Sequence, residues 1–267
     1  MTMTPTLTTT GSPAASAAPA EGPDGSVAVV RGPVLGVWAH PDDEAFLSAG
    51  LMARVRSGGH RVVVATATRG EQGTDDPATW PPARLGRVRA RELAESLAVL
   101  DVHEHRWLGH RDGTLDGLRR TTGVAQVVEL LEEVRPAVVV TFGPDGMTGH
   151  ADHRTVSAWV TEAWRATGRA ARLWYATLTP AFHARWGELN DRVGLWFPGQ
   201  QPPVVDEVEL AAEVRCDPPL LDRKHRSLRA HATQTDPLVR LVGESTFRHW
   251  WSTEWFVDAE VHARLRR

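Results

Sequence analysis

Two clusters of histidine and acidic residues, far apart in the chain, have the side-chain types of a metal site. The first is Ala39-His40-Pro41-Asp42-Asp43-Glu44 and the second is Gly149-His150-Ala151-Asp152-His153. His40 and Asp43 are three residues apart at a predicted helix start, so both side chains can point at one cation. Imidazole nitrogen combined with carboxylate oxygen is a donor set that zinc accepts.

The first cluster alone has a simpler interpretation as a helix start. Proline at the first helical position followed by acidic residues is common, because the acids complement the positive end of the helix dipole. The second cluster also follows a buried-strand pattern, and two such clusters at two strand ends are hard to explain as helix capping. The two clusters together therefore favour a shared metal site.

Alternating strand and helix patterns surround both clusters. Apolar runs predict strands at 34–39, 61–68, 102–108, 136–142 and 173–178, and helical spacing predicts helices at 45–55, 81–100, 124–134 and 150–167. This alternation indicates right-handed βαβ units, and hence a Rossmann-like α/β fold with a mainly parallel sheet and helices on both faces. If the strand order is 3-2-1-4-5, the first and fourth strands are neighbours, and both clusters lie at their carboxyl ends, where such folds bind ligands.

Composition divides the chain into two parts. Residues 1–30 are rich in Thr, Pro, Ala, Gly and Ser and lack the basic start and apolar segment of a signal peptide, which predicts a disordered tail. Residues 31–267 are expected to form one domain, whose part after about residue 180 is irregular in pattern. The eleven tryptophans of the chain are interpreted as packing residues, although one near the site could stack on a sugar ring.

Charge and cysteine content exclude several classes of function. The net charge of -3 gives no support for a nucleic-acid partner. Cys216 is the only cysteine, which excludes an internal disulfide and a multi-cysteine zinc site. No run approaches the roughly 18 apolar residues of a transmembrane segment. We expect a cytoplasmic protein, and a homo-oligomer is compatible with this composition.

The residue types suggest metal-assisted hydrolysis of an amide. If His40, Asp43 and His153 bind one zinc ion, a coordination position remains for water, as in catalytic zinc sites. Zinc lowers the pKa of such a water to about 7 and polarises a carbonyl group. Asp42 is then the candidate general base and proton donor to the leaving amine. His150 is the candidate hydrogen-bond donor to the oxyanion.

Other polar residues are weaker candidates. Asp152 could hold a neighbouring histidine in the required tautomer. Glu71, in a glycine-flanked loop after the second strand, is a candidate site residue, although turn chemistry explains such loops equally well. Arg89 and Glu92 are one turn apart on the helix at 81–100, and from the sequence alone we expect a surface ion pair.

At these residues the chain resembles the PIG-L (LmbE-like) family of zinc-dependent N-deacetylases. The similarity runs from about residue 34 to 174 and includes AHPDDE at 39–44, TRGE at 68–71, RARE at 89–92 and HADH at 150–153, with a weaker signature, HATQ, at 231–234. The resemblance implies one zinc ion per chain, or iron or cobalt, on His40, Asp43 and His153. It implies Asp42 as base and His150 as oxyanion stabiliser.

The resemblance also implies the substrate class. Arg89 and Asp112 match positions at which family members hold the sugar. We expect Glu71 to bind substrate together with them. The expected reaction is removal of the N-acetyl group from an N-acetylglucosamine-type conjugate, a small-molecule glycoconjugate. Members of the mycothiol pathway have a tyrosine two residues before the HxDH histidine, where this chain has Thr148, which argues against that enzyme.

Three alternatives remain at this point. The first is hydrolysis of a larger amide, such as a mycothiol S-conjugate. The second is a non-catalytic Rossmann-like module that binds a sugar or nucleotide, although no G-x-G-x-x-G follows the first strand. The third is a magnesium-dependent phosphoesterase, which the histidine-rich ligands disfavour because they suit zinc better than magnesium.

Overall fold

The computed structural model describes residues 30–266, in which seven strands form one sheet. The strands are β1 (Val34–Trp38), β2 (Val62–Thr66), β3 (Glu104–Trp107), β4 (Val138–Phe142), β5 (Arg172–Thr177), β6 (Ala212–Arg215) and β7 (Thr253–Asp258). Their order is β3-β2-β1-β4-β5-β7-β6. The first five strands are parallel, and β7 is antiparallel to both β5 and β6. The mainly parallel sheet is confirmed, and the condition that the first five strands have the order 3-2-1-4-5 is met.

The central strands are apolar because helices cover the sheet on both faces. Every residue of β1, β2 and β4 is buried, whereas β3, at the edge of the sheet, is half-buried. The helices of residues 30–266 are α1 (Asp43–Ser57), α2 (Pro82–Val99), α3 (Arg120–Val134), α4 (Ala151–Ala166), α5 (Pro180–Arg192), α6 (Pro218–Ala230), α7 (Ala232–Val242), α8 (Glu244–Trp250) and α9 (Ala259–Leu265). Helix α3 packs on α4, while α1 and α2 pack on α6. Right-handed crossovers place these two groups on opposite faces.

The C-terminal part is more regular than its pattern predicts. Residues 193–211 contain little regular structure beyond a 3₁₀ turn at Glu207–Glu209, but two strands and four helices follow between residues 212 and 265. β7 inserts between β5 and β6, a pairing over long sequence distance that local periodicity does not reveal. Trp250 and Trp251 are buried in the core, which agrees with a packing role for them.

A buried ion pair fastens the C-terminal part to α1. Lys224 Nζ lies 2.6 Å from Glu254 Oε1, and the two side chains are 0% and 1% exposed. Lys224 also donates to the carbonyl of Phe46, and Glu254 accepts the N–H of Gly50, each within 2.8 Å. In a regular helix the N–H of Gly50 donates to the carbonyl of Phe46. The ion pair therefore contacts both groups of one backbone hydrogen bond at the middle of α1.

Two sequence predictions concern the N-terminal tail and the absence of membrane-spanning segments. The disordered tail predicted at 1–30 lies outside the described residues except for Val30, which is buried in the core. None of the helices between residues 30 and 266 is both long and apolar enough to cross a membrane.

Candidate active site

The two clusters lie side by side at the carboxyl ends of β1 and β4, which are neighbouring strands. His40 comes two residues after β1, and His153 is in the first turn of α4. His40 Nδ1 is 3.1 Å from His153 Nε2, although the two residues are 113 positions apart. The sheet order therefore brings the clusters together as predicted.

Asp43 completes a triangle of potential metal-binding atoms with these two histidines. Its carboxylate oxygens lie 3.8 Å from His40 Nδ1 and 3.4 Å from His153 Nε2. Oδ2 of Asp43 accepts the backbone N–H of His40 at 2.8 Å, which fixes the carboxylate at the start of α1. All three side chains are buried. We call His40 Nδ1, His153 Nε2 and the carboxylate of Asp43 the donor triangle.

The outer nitrogens of both histidines face hydrogen-bond acceptors. His40 Nε2 is 3.0 Å from Asp112 Oδ1 and 3.4 Å from Asp152 Oδ2, and His153 Nδ1 is 3.0 Å from the carbonyl of Gly146. When both rings are neutral, as they are when histidine binds a metal, these acceptors hold the ring protons outward, so that two nitrogen lone pairs and a carboxylate converge on one point. Such lone pairs repel each other unless a cation lies among them, and nitrogen with carboxylate suits zinc, iron or cobalt.

The electrostatics of the donor triangle also favour a cation. Burial disfavours the protonated form of His40, but hydrogen bonds to Asp112 and Asp152 and the charge of Asp43 raise its pKa to about 10. Burial raises the pKa of Asp43 to about 7. Burial and the charge of His40 hold the pKa of His153 well below its ordinary value. The carboxylates therefore stabilise positive charge here, while His153 stays neutral, the form in which histidine binds metals.

Asp42 occupies the N-cap position of α1, but its side chain makes no capping hydrogen bond. Its φ of 112° lies outside the regions that non-glycine residues favour. Asp42 Oδ2 accepts a hydrogen bond of 3.0 Å from Arg89, whose guanidinium also donates to the carbonyls of Pro41 and Gly70. A Cβ at Gly70 would lie 2.3 Å from Arg89 Nη1, so only glycine lets the loop close on this side chain. Burial raises the pKa of Asp42, and the charge of Arg89 opposes this effect.

Glu44 supports the first cluster from inside the protein. It is fully buried, and its Oε2 accepts the backbone N–H of Asp42 at 2.9 Å. Its Oε1 lies 2.8 Å from His231 Nε2 and accepts a hydrogen bond from Ser96. Burial would raise the pKa of Glu44, but the charge of His231, together with the hydrogen bonds from His231 and from backbone N–H groups, outweighs burial and lowers the pKa. The pKa of His231 is raised, because Glu44 outweighs the opposite effect of burial.

The weak signature at 231–234 contacts the first cluster and α2. Glu92 accepts hydrogen bonds from the N–H and the hydroxyl of Thr233, at 2.8 and 2.6 Å, and Gln234 donates to the carbonyl of Gly73. Arg89 and Glu92 are only 3% and 7% exposed. The predicted surface ion pair is therefore wrong, because the loop after β2 and residues 231–234 cover this face of α2.

His150 and Asp152 form the start of α4. His150 is the N-cap, and its Nδ1 accepts the N–H of Asp152 at 3.1 Å. The ring proton of neutral His150 is therefore on Nε2. One ring nitrogen of His150 also lies within 4.8 Å of those of His40 and His153. The carboxylate of Asp152 accepts two backbone N–H groups, from Gly113 and Leu115, and faces His40, which is thus the histidine that it can orient.

The three residues predicted to bind substrate all have partners within the protein. Arg89 holds Asp42, Asp112 faces His40, and Asp112 Oδ2 also accepts the N–H of Gln72. Glu71 accepts the N–H of Asp112 at 3.1 Å and lies outside the pocket that Asp112 and Arg89 line. Their contact with substrate stays a prediction.

Two pockets meet at the donor triangle. The polar pocket, of about 420 Å³, is lined by Asp42, Gln72, Arg89, Asp112, His150, Phe197 and Gln234 among others. The apolar pocket, of about 260 Å³, is lined mainly by Phe46, Leu47, Met147, Leu195, Leu238 and Trp251. Asp43, Thr148, His153 and Leu195 line both pockets. Sequence reasoning missed Gln72, Phe197 and Leu238 as site residues. Gln72 is in the glycine-flanked loop after the second strand, but its neighbour Glu71 was the candidate there. Phe197 and Leu238 lie in the C-terminal part, which has no distinctive pattern around them.

Comparisons with known proteins show which family the chain is similar to. The family model PIG-L, described as GlcNAc-PI de-N-acetylase, matches residues 35–164. The 1D-myo-inositol 2-acetamido-2-deoxy-alpha-D-glucopyranoside deacetylase of Rhodococcus jostii is 35% identical over 236 residues, which cover 74% of this chain and 80% of that protein. A second relative, the deacetylase of the same name from Saccharomonospora viridis, is 32% identical over 75% of this chain and 84% of its own.

Solved structures share the fold at lower sequence identity. The N,N'-diacetylchitobiose deacetylase of Pyrococcus horikoshii has a TM-score of 0.56 at 21% identity, covering 87% of this chain and 85% of its own. At these identities the likeness shows the fold alone.

Proposed function

Since the chain belongs to the PIG-L family and is a deacetylase, we propose that it removes the N-acetyl group of an N-acetylglucosamine-type conjugate with one metal ion held by His40, Asp43 and His153. The convergence of two histidine nitrogens and the two oxygens of the Asp43 carboxylate, with separations of 3.1–3.8 Å, beside Asp42 and His150, carries the proposal. The names of the relatives support glucosamine as the amine half. The donor types support zinc, with iron or cobalt as substitutes.

The chain's own residues supply the proton transfers. When bound, the metal would polarise the amide carbonyl and lower the pKa of water. Asp42, held in the polar pocket by Arg89, accepts a proton from the attacking water. The same carboxyl then gives the proton to the leaving nitrogen, so that the C–N bond breaks and acetate and a free amine result. His150 donates its Nε2–H to the carbonyl oxygen as negative charge develops there.

Asp112 and Asp152 act in this proposal through His40. Their carboxylates lie on its Nε2 side and hold the ring so that Nδ1 faces the donor triangle. Partners of this kind fix the tautomer of a metal-binding histidine and increase its basicity. Asp152 is itself held by two backbone N–H groups, so the orientation of His40 is tied to the start of α4.

The polar pocket suits a sugar. Gln72, Arg89 and Gln234 line it with hydrogen-bond donors, and Phe197 adds an aromatic face that is 48% exposed. Sugars combine hydroxyl groups with an apolar ring face, so both kinds of contact are useful. The alternatives of a non-catalytic binding module and of a phosphoesterase are not supported, because the family is one of deacetylases.

Acetate release tests the proposal. Zinc-loaded protein is incubated with a panel of N-acetylglucosaminides, with Asp42→Asn as the test variant and Asp116→Asn, an exposed aspartate, as the matched control. We expect Asp42→Asn to keep one metal ion per chain and to lose about 10²–10⁴ in kcat. Full activity of Asp42→Asn would contradict the assigned base. No acetate from any panel member, with metal loading verified, would contradict the proposed substrate.

A further inference from the structure

We infer that the apolar pocket binds the acyl half of the substrate, and that the enzyme hydrolyses glucosamine amides of linear acyl chains longer than acetyl. This inference rests on the proposed function and extends its substrate class. It depends on where the two pockets lie relative to the residues that transfer protons.

The position of Asp42 orients the amide. Asp42 and His150 line the polar pocket and are not part of the apolar lining. The leaving nitrogen must lie within reach of Asp42 to receive its proton, so the amine half occupies the polar pocket. The acyl half extends from the opposite side of the carbonyl carbon. Asp43 and His153 line both pockets, so the path across the donor triangle leads into the apolar pocket.

The apolar pocket is much larger than an acetyl group requires. Its volume is about 260 Å³, whereas a methyl group is comparable to one water molecule, which takes up about 30 Å³ in the liquid. An acetyl group would therefore leave most of the apolar pocket unfilled. A chain of several methylene groups would fill it.

The lining of the apolar pocket selects an apolar occupant. Among the described residues that line it, only Asp43 and His153 are ionisable, and both belong to the donor triangle. Hydroxyl groups of a sugar placed here would lose hydrogen bonds to water and find few partners, which is costly. A hydrocarbon chain gains free energy on the same transfer.

The walls of the apolar pocket are fixed by packing in the core. Phe46 of α1 lies edge-on to Trp251, with ring centroids 5.3 Å apart. Trp250 donates its indole N–H to the side chain of Asn190 at 2.9 Å. Leu238 of α7 supplies a further wall. These contacts hold the walls of the apolar pocket in place, so an acyl chain can occupy it without a rearrangement of the core.

A series of acyl chains on the same glucosamine conjugate tests the inference. The wild-type, zinc-loaded enzyme is assayed for kcat/KM with acetyl, butanoyl, hexanoyl and octanoyl amides, by appearance of the free amine. In each case one water is consumed, the C–N bond breaks, and the amine and a carboxylate form. We expect kcat/KM to rise by up to about fourfold for each methylene buried, until the apolar pocket is full.

The outcomes separate this inference from the proposed function. A tenfold or greater fall in kcat/KM from acetyl to butanoyl, with acetyl hydrolysed well, would overturn the acyl pocket and leave the deacetylase intact. Hydrolysis of none of the amides, acetyl included, would overturn the proposed function and with it this inference. A rise with chain length supports both.

A variant pair locates the effect in the apolar pocket. Leu238→Trp places a larger side chain in the lining, and we expect the ratio of kcat/KM for hexanoyl to that for acetyl to fall at least tenfold. Leu241→Trp is the matched control, because Leu241 is on the same helix but is 57% exposed and outside the lining. An unchanged ratio in a folded Leu238→Trp protein would contradict the inference.

Discussion

His231, near the C-terminal end of the chain, places Nε2 2.8 Å from Oε1 of Glu44 in the first turn of α1. Both side chains are completely buried. The other oxygen of Glu44 accepts the backbone N–H of Asp42. A pair of residues 187 positions apart therefore fixes the backbone that carries the proposed general base.

The His231–Glu44 pair predicts a pH-dependent stability. The pKa of Glu44 is lowered on folding, so its contribution is present above its ordinary pKa of 4.5 and is lost as the pH falls through the lower folded value. The pKa of His231 is raised, so its contribution is full below 6.5 and is lost as the pH rises through the higher folded value. The two contributions overlap fully between pH 4.5 and 6.5.

Replacement of His231 by glutamine removes the charge and keeps a hydrogen-bond donor. We expect the difference in Tm between wild type and His231→Gln to be largest at the pH values where both contributions are full, and to shrink at alkaline pH. Thermal unfolding across a pH series measures it. His103→Gln is the control, because the His103 side chain is 69% exposed. A Tm difference that does not change with pH would exclude the ion pair as the cause.

Arg89→Lys is expected to lower kcat/KM by about 100-fold, because small misplacements of a catalytic group have effects of this size. Lysine keeps the charge, but it cannot reproduce the guanidinium contacts to Asp42, Pro41 and Gly70. Metal content should not change. Steady-state kinetics with Arg91→Lys, an exposed arginine on the same helix, provides the comparison. Equal kinetics for the two variants would show that Arg89 does not position Asp42.

Asp112→Asn is expected to weaken zinc binding by about 10- to 100-fold, because a charged partner of His40 is lost. Competition with a chelator measures the affinity, and Asp116→Asn is again the exposed control. If Asp112 instead acts only on the sugar, KM rises while zinc affinity stays at the wild-type value. The experiment thus distinguishes a role of Asp112 in orienting His40 from its predicted role in substrate binding.

Lys224→Met is expected to reduce the free energy of unfolding by about 3–5 kcal/mol, because Glu254 is left charged and buried without its partner. Urea unfolding measures the change. The exposed pair of Arg169 and Glu260 gives the contrast, since Glu260→Gln should change stability by about 1 kcal/mol or less. A similar small effect for both variants would mean that water reaches the Lys224 site.

The sequence alone determined the parallel part of the sheet and pointed to the proposed metal ligands. Apolar runs and helical spacing are local properties, so they predicted β1 to β5 and α1 to α4. The strand order 3-2-1-4-5 entered as a condition, which the structure meets. Because parallel strands end at one edge, that order also predicted the meeting of His40 and Asp43 with His153. These predictions needed only residue types, spacing and the handedness of βαβ units.

The tertiary structure alone decided what surrounds those residues. Arg89 appeared to be a surface residue because helical spacing cannot show that the loop after β2 and residues 231–234 cover that face of α2. The partner of Glu44 and the walls of the apolar pocket come from a C-terminal part whose contacts span long sequence distances. Such contacts depend on packing in three dimensions, and no local pattern of residues encodes them.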